Sequence, residues 1–413
     1  MLEKTRETKV LRDVIHGYIH VDLQIIWELI DSKEFQRLRR IRQLGGDFQV
    51  YHNAEHSRFS HSLGVYEIVR RMVQEVHDLQ MKLTEREKVV VMIAALLHDI
   101  GHLPFSHAFE HICPIPHEQF SYDIIIGHSD VNRILCTYDD ELASEVASVI
   151  HYQHKNPILN QIVSGQLDAD RMDYLLRDAY FTGTSYGAFD LERILRTIRV
   201  KDDKLVVKES GIHSVENYIM ARYHMYWQVY YHPVCRSYEI VLSNLFKRMC
   251  YLYNKGDTMI EELQMFVPFL GNEPTICDYF DLDENAAFYG IARLTKSEDE
   301  IVADLARRLL NRRLFEYENI TTEQDYDNMV NRVKAAGYDP TYYCEMDTMS
   351  QSPYSPYAKE SGSNIWVLTE SGEVAELSQR SVIVKSLVEG DVKKESKVYF
   401  PDLGEVYGKD CGC

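Results

Sequence analysis

The histidines of this chain are unevenly spread. Nine of seventeen fall within residues 50–120, among them His52, His56, His61, His98, His102, His107, His111 and His117. One stands beside a carboxylate in Leu96-Leu97-His98-Asp99-Ile100-Gly101-His102. The preceding run, residues 89–97, is apolar throughout. An ionised Asp where a buried apolar helix runs out needs a compensating partner. A divalent cation is one such partner, and neutral imidazole with carboxylate suits Mn, Fe, Zn or Mg. For these two residues alone, a His–Asp pair closing a helix end is the plainer reading. Two further donors favour the metal: His61 in Arg58-Phe59-Ser60-His61-Ser62-Leu63-Gly64 and Asp170 in Leu167-Asp168-Ala169-Asp170-Arg171-Met172-Asp173-Tyr174. His151 and His154 have no carboxylate at a useful spacing and read as an exposed helix end.

Helices must hold such a cluster. Val65, Ile68, Val69, Met72, Val73, Val76 and Leu79 recur every three or four residues, the period of an amphipathic helix. Thr84 and Glu87 form a capping box before the apolar run, and Gly101 and Pro104 are stop signals after it. Further helices are expected at about 141–153, 168–180, 190–198, 214–253 and 297–313. Residues 10–22 alternate around Gly17 as a hairpin or edge strand, and 200–207 read as a second small hairpin. After Tyr338 strands are expected near 364–369, 381–386 and 396–400, with no residues there that suggest chemistry. The fold class is mainly α.

Taken together, these segments resemble the HD-domain metal phosphohydrolases. The fuller text is similar to the deoxynucleoside triphosphate triphosphohydrolases among them, the bacterial dGTPase-like and vertebrate sterile-alpha-motif types. The matching text is Arg12-Asp13-Val14-Ile15-His16-Gly17, Phe35-Gln36-Arg37-Leu38-Arg39-Arg40-Ile41, Gln43-Leu44-Gly45-Gly46, the run from Arg58 to Gly64, His98-Asp99-Ile100-Gly101-His102, Pro104-Phe105-Ser106-His107, His117-Glu118 and the run from Asp170 to Asp178. The resemblance implies an HD-domain helical core over 1–320, with the N-terminal hairpin and an activator site, and a small α+β C-terminal domain over 321–413 for oligomer contact or regulation.

It implies that His61, His98, Asp99 and Asp170 hold a divalent metal, and that a dNTP is cut to deoxynucleoside and triphosphate. His107 is then the candidate general acid, with Glu110 to orient it. His102 and His117 meet the phosphates or the attacking water. Arg58, Arg171 and Arg222 supply guanidinium groups to the phosphates. Gln43, Leu44, Tyr174 and Asp178 surround the sugar, Tyr174 crowds its 2′ position, and Tyr230 lies on the base and sugar side. Asp31, Gln36 and Arg39 match an inter-subunit guanine nucleotide site, which implies activation by GTP or dGTP in a homotetramer. Arg193, His232 and Arg312 match a second nucleotide pocket, from which Arg12, Pro233 and Glu316 depart. Two rivals stay open: another HD-family phosphohydrolase (a nucleotidase or phosphodiesterase), and a nucleotide-sensing regulator with little turnover.

Composition narrows the partners. With 45 Lys+Arg against 64 Asp+Glu in 413 residues the net charge is −19. Duplex binding is driven by Lys and Arg displacing counterions, so a long nucleic acid is a poor partner, as is an anionic membrane. Residues 251–300 alone carry eleven acidic against three basic residues, so the acidity is local and leaves room for a small anionic substrate. No apolar run of 18 residues and no CxxC pair occur among eight cysteines. The chain reads as a soluble, reduced, cytoplasmic protein.

Overall fold

The structure is a computed structural model that describes residues 3–105, 109, 115–257, 260, 262–271, 273–350, 354 and 364–404. Strands β1 (Lys4–Asp13) and β2 (Gly17–Leu23) form the expected hairpin. Asp13 Oδ1 accepts from the N–H of Ile15 at 2.8 Å and of His16 at 2.9 Å. Gly17 takes the left-handed φ of 72° that closes the turn.

Helices carry the rest of the frame. Helix α1 (Gln24–Asp31) buries Ile25, Ile26, Leu29 and Ile30. Next come α2 (Arg58–Glu75) and α3 (Glu85–Leu97), which pack on each other. The Thr84–Glu87 capping box is formed, and α3 is buried from Val89 to Leu97. Helices α4 (His117–Ile126), α5 (Leu142–Ile150) and α6 (Pro157–Ser164) follow. Both α5 and α6 pack on α3, and α4 packs on α5. Helix α7 (Ala169–Thr182) is capped by Asp168, which accepts from the Arg171 N–H at 2.8 Å. It packs on α2. Gly64 permits that approach, because a Cβ there would collide with the carboxylate of Asp173 and the guanidinium of Arg177.

The long helix expected over 214–253 is two helices, α8 (Ile212–Met225) and α9 (Pro233–Tyr253), joined by a π-helical turn at Tyr226–Tyr230. Pro233 cannot donate to a continuing ladder, so the helix restarts there with His232 as its cap. Helix α10 (Glu300–Leu310) packs along α9.

Two small sheets complete the fold. Strands β3 (Ile198–Lys201) and β4 (Lys204–Lys208) make the second predicted hairpin. The remaining strands are β5 (Glu316–Asn319), β6 (Glu345–Ser350), β7 (Trp366–Leu368), β8 (Val374–Glu376) and β9 (Lys394–Phe400). Their orders are β3-β4-β7-β8, with β7 parallel to β4, and β5-β9-β6, antiparallel throughout. The strand expected near 381–386 is instead a helix, Val382–Glu389. Ser381 caps it by accepting from the Val384 N–H at 3.0 Å, and Val384, Leu387 and Val388 face inward at the helical period. Local β-branched content suggested a strand; the cap and the spacing decide otherwise. Among the described residues no helix is long and apolar enough to cross a membrane.

Candidate active site

The four predicted metal donors converge. His61 projects from α2, His98 and Asp99 from the turn after α3, and Asp170 from the first turn of α7. His61 Nε2 lies 3.0 Å from Asp170 Oδ1 and 3.7 Å from Asp99 Oδ2. His98 Nε2 lies 3.3 Å from Asp99 Oδ1 and 3.6 Å from Asp170 Oδ1. Ligands about 2.1 Å from one ion and at right angles stand about 3 Å apart, so the set fits a divalent cation. His98 carries a second sign. Its Nδ1 lies 2.9 Å from the Ala95 carbonyl, while its buried Nε2, among the described residues, completes no hydrogen bond. A buried nitrogen left so is unfavourable, and an ion among these donors would satisfy it.

Inner partners fix the donors. Asp173 lies 2.8 Å from His61 Nδ1 and 2.6 Å from His16 Nε2, and Arg177 Nε donates to it at 2.8 Å. Arg177 also donates to Asp13 at 2.8 Å, which ties the hairpin turn to the cluster. Burial alone would raise Asp173; Arg177, His16 and His61 outweigh it and hold the carboxyl well below the usual range. Burial likewise pulls His61 down, but Asp170 and Asp173 push it up to about 10. A carboxylate behind a ligating imidazole sets its orientation and basicity. Asp173 was not singled out from sequence, although it lies three residues after Asp170 and four before Arg177, on one helix face.

Beside the donors, Arg58 Nη1 donates to Asp99 Oδ2 at 2.5 Å. Burial raises Asp99, yet His98, Arg58 and His102 hold it well below a normal carboxyl. His102 and His117 stack with centroids 3.8 Å apart. Burial, then the charges of Arg58 and His117, hold His102 well below the ordinary imidazole range, so it is neutral near pH 7. Asp99, His102 and His117 also form a second candidate ligand group among the described residues. Arg171 is bound to Asp168. Arg222 stands behind the wall, donating to Gln166 Oε1 at 3.0 Å. His107 and Glu110 lie outside the described residues.

A cavity of about 900 Å³ opens onto this cluster. Arg58, Asp99, His102, His117, Asp170 and Arg171 line it, as do the predicted Gln43, Leu44, Tyr174, Asp178 and Tyr230. Tyr230 donates to Asp178 Oδ2 at 2.7 Å, and Asp178 Oδ1 lies 2.8 Å from His56 Nε2. The His56 ring is stacked on Phe181 at 4.5 Å. The π turn brings Tyr226, Tyr230 and Tyr231 all onto the wall. Residues not foreseen complete it: Asp47, Arg236, Glu239, Asn244 and the strand residues Glu345, Met346 and Asp347. The last three lie beyond residue 320, where the sequence suggests no chemistry. No motif marked them, because β6 reaches the cavity only through the tertiary fold.

Gln36 and Arg39 meet on the surface, with Arg39 Nε donating to Gln36 Oε1 at 2.8 Å and its guanidinium 3.6 Å above the Phe59 ring. Asp31 ends α1 and is exposed. Arg37 does not belong to that face: it is 1% exposed and donates to the His102 and Leu282 carbonyls at 2.8 and 2.6 Å. His154 is buried rather than an exposed helix end, and its backbone N–H and carbonyl bond to Asn160.

Comparison with known proteins agrees with this geometry. Residues 58–178 match the HD domain and residues 189–266 the HD associated region. The chain is 45% identical to the uncharacterized protein YwfO of Bacillus subtilis, over 96% of this chain and 93% of YwfO. It is 33% identical to a protein of Dictyostelium discoideum named a deoxynucleoside triphosphate triphosphohydrolase SAMHD1 homolog, over 58% of this chain and 49% of that protein. A crystal structure of a phosphohydrolase from Bacteroides thetaiotaomicron superposes with a TM-score of 0.82 at 27% identity, covering 95% of this chain and 100% of that one. With its four donors converged and both regions matched in order, the chain belongs to the HD-domain family.

Proposed function

We propose that this protein is a metal-dependent dNTP triphosphohydrolase of the cytoplasm, which converts a dNTP to deoxynucleoside and inorganic triphosphate. One observation carries the reading: the donor cluster opens onto a cavity that also holds Gln43, Leu44, Tyr174, Asp178 and Tyr230. The name of the Dictyostelium relative supports the substrate class. A divalent ion held by His61, His98, Asp99 and Asp170 supplies Lewis acidity and water activation. Arg58 and Arg171 hold the phosphates from the wall, with Arg222 adding positive charge behind it. Neutral His102, stacked on His117, offers an acceptor nitrogen beside them. His107, oriented by Glu110, gives its proton to the departing 5′-oxygen. Tyr174 fills the space of a 2′-hydroxyl and Asp178 accepts from the sugar. GTP or dGTP bound at Asp31, Gln36 and Arg39 between subunits activates a homotetramer. Residues 321–413 form a C-terminal α+β domain, added to the catalytic 1–320, that serves oligomer contact or regulation.

The test is to incubate the protein with dNTPs and Mg or Mn, with and without GTP, and to resolve the products by ion exchange. Inorganic triphosphate with deoxynucleoside, increased by GTP, is the expected result. Pyrophosphate with dNMP, or phosphate alone, would assign the chain to another HD-type hydrolysis. Nucleotide-dependent oligomerisation without turnover would make it a sensor.

A further inference from the structure

Arg37 is a buried cation to which the proposed reaction gives no task. It ends the short helix Lys33–Arg37, between Gln36 and Arg39 on the surface, and turns inward. Its hydrogen-bond partners are neutral. Nη1 donates to the Tyr279 hydroxyl at 2.6 Å and to the His102 carbonyl at 2.8 Å, and Nη2 donates to the Leu282 carbonyl at 2.6 Å. The guanidinium also lies 4.0 Å from the centre of the Tyr279 ring. Burying a cation among neutral groups is unfavourable, so stability alone is a poor account of it.

The protons show what Arg37 holds. The Tyr279 oxygen lies 2.7 Å from both the Ile100 and the His102 carbonyls. A phenol has one proton and can serve only one of them, whereas a guanidinium Nη carries two N–H groups. One N–H of Arg37 Nη1 therefore meets the Tyr279 oxygen and the other the His102 carbonyl, which leaves the phenol proton for Ile100. Ser121 holds the beginning of the same turn: its Oγ donates to the His98 carbonyl at 3.1 Å and accepts from the Gly101 N–H at 3.0 Å. From the residue that Arg37 fixes, the His102 ring reaches out to stack on His117 at 3.8 Å, with its Nε2 3.4 Å from Asp99 Oδ1. We propose that Arg37 is a positioning residue for His102: by fixing the His102 carbonyl it fixes where the imidazole meets the phosphates. The inference rests on the dNTP triphosphohydrolase reading and gives Arg37 no contact with substrate or metal.

The experiment is a double-mutant cycle on kcat for triphosphate release at fixed GTP, with a radiolabelled dNTP so that slow variants are still measured. Arg37→Met removes the fork and its charge together. It should lower kcat by about tenfold, the worth of one hydrogen bond from a charged group. In a His102→Ala background the same substitution should cost less than about twofold, because the ring that Arg37 positions is gone. Divalent metal bound to the purified protein should be unchanged by Arg37→Met. Tyr279→Phe, which takes one donor from the two carbonyls, reads the same cycle if Arg37→Met does not fold. Equal losses with and without His102, a wild-type kcat in the folded variant, or loss of the bound metal overturns the inference and leaves the triphosphohydrolase reading standing. Absence of triphosphate from every dNTP overturns both.

Discussion

Two buried aspartates, Asp173 behind the metal donors and Asp47 on the wall of the cavity, are held in opposite ways. Asp173 sits behind the metal donors among Arg177, His16 and His61, and its carboxyl is held well below the usual range. Asp47 sits at the far end beside the Cys235 thiol, Glu239 and Asp178, and burial pushes it up to about 8. Burial raises any carboxyl; the difference lies in the partners. At the donor end every group is fixed by another: Asp173 holds His61, the Ala95 carbonyl holds His98, and Arg58 holds Asp99. At the far end the wall is assembled from a loop, α9 and β6, and one cation, Arg236, is shared between two acids. The donor end is therefore intolerant of change, whereas the far end is adjustable.

The contrast is broken most directly at a donor. Asp170→Asn should abolish triphosphate release and remove the bound divalent cation, read by metal analysis of the purified protein. Retained metal with full turnover would show that the cluster is not the centre. Asp173→Asn comes next. It leaves Arg177 and His16 buried without their carboxylate, and breaking such a buried pair costs about 3–5 kcal/mol. It also frees the His61 ring, for which a loss of about 10–100-fold in activity or metal affinity is expected. A wild-type melting temperature would contradict the fixed-end account. Between the two ends, His56→Ala removes the hydrogen bond that holds Asp178. One such bond is worth about 1 kcal/mol, so kcat/KM for a dNTP should fall by about fivefold. A 2′,3′-dideoxy analogue, which lacks the 3′-hydroxyl for Asp178, should lose much less; an equal loss on both would deny His56 a positioning role.

The same division explains what the sequence could disclose. The donor end was legible because His98-Asp99 at the end of an all-apolar helix, with His61 and Asp170, has few other chemical uses. The capping box, the two hairpins and α10 were legible because their signals are local. The far wall was not. Asp47 follows two glycines, and Asp347 lies on a strand with no marked spacing; only the tertiary fold brings them to one cavity. The π turn was hidden inside a continuous aromatic helix pattern, since a single inserted residue leaves no compositional trace. The helix at Val382–Glu389 was misread because its β-branched residues outweighed a Ser cap.

The smallest effect tests the far end without any substrate. In the folded protein Asp47 keeps its proton up to about pH 8, whereas an unfolded aspartate, at its ordinary 3.8, has released it. The folded state thus binds more protons than the unfolded one between those values. Its contribution to stability is fully present below the unfolded value and is lost as pH rises toward 8, by up to about 1.4 kcal/mol per pH unit while the site titrates. Asp47→Asn cannot ionise and escapes that loss. Melting curves of variant and wild type at pH 5, 6.5 and 8 should therefore move apart in favour of the variant as pH rises. Asp173 works in the opposite direction, since a carboxyl held low lends stability that disappears on acidification. A gap between Asp47→Asn and wild type that stays constant with pH would mean that Asp47 has found a cation after all, and the two ends of the cavity would no longer differ in kind.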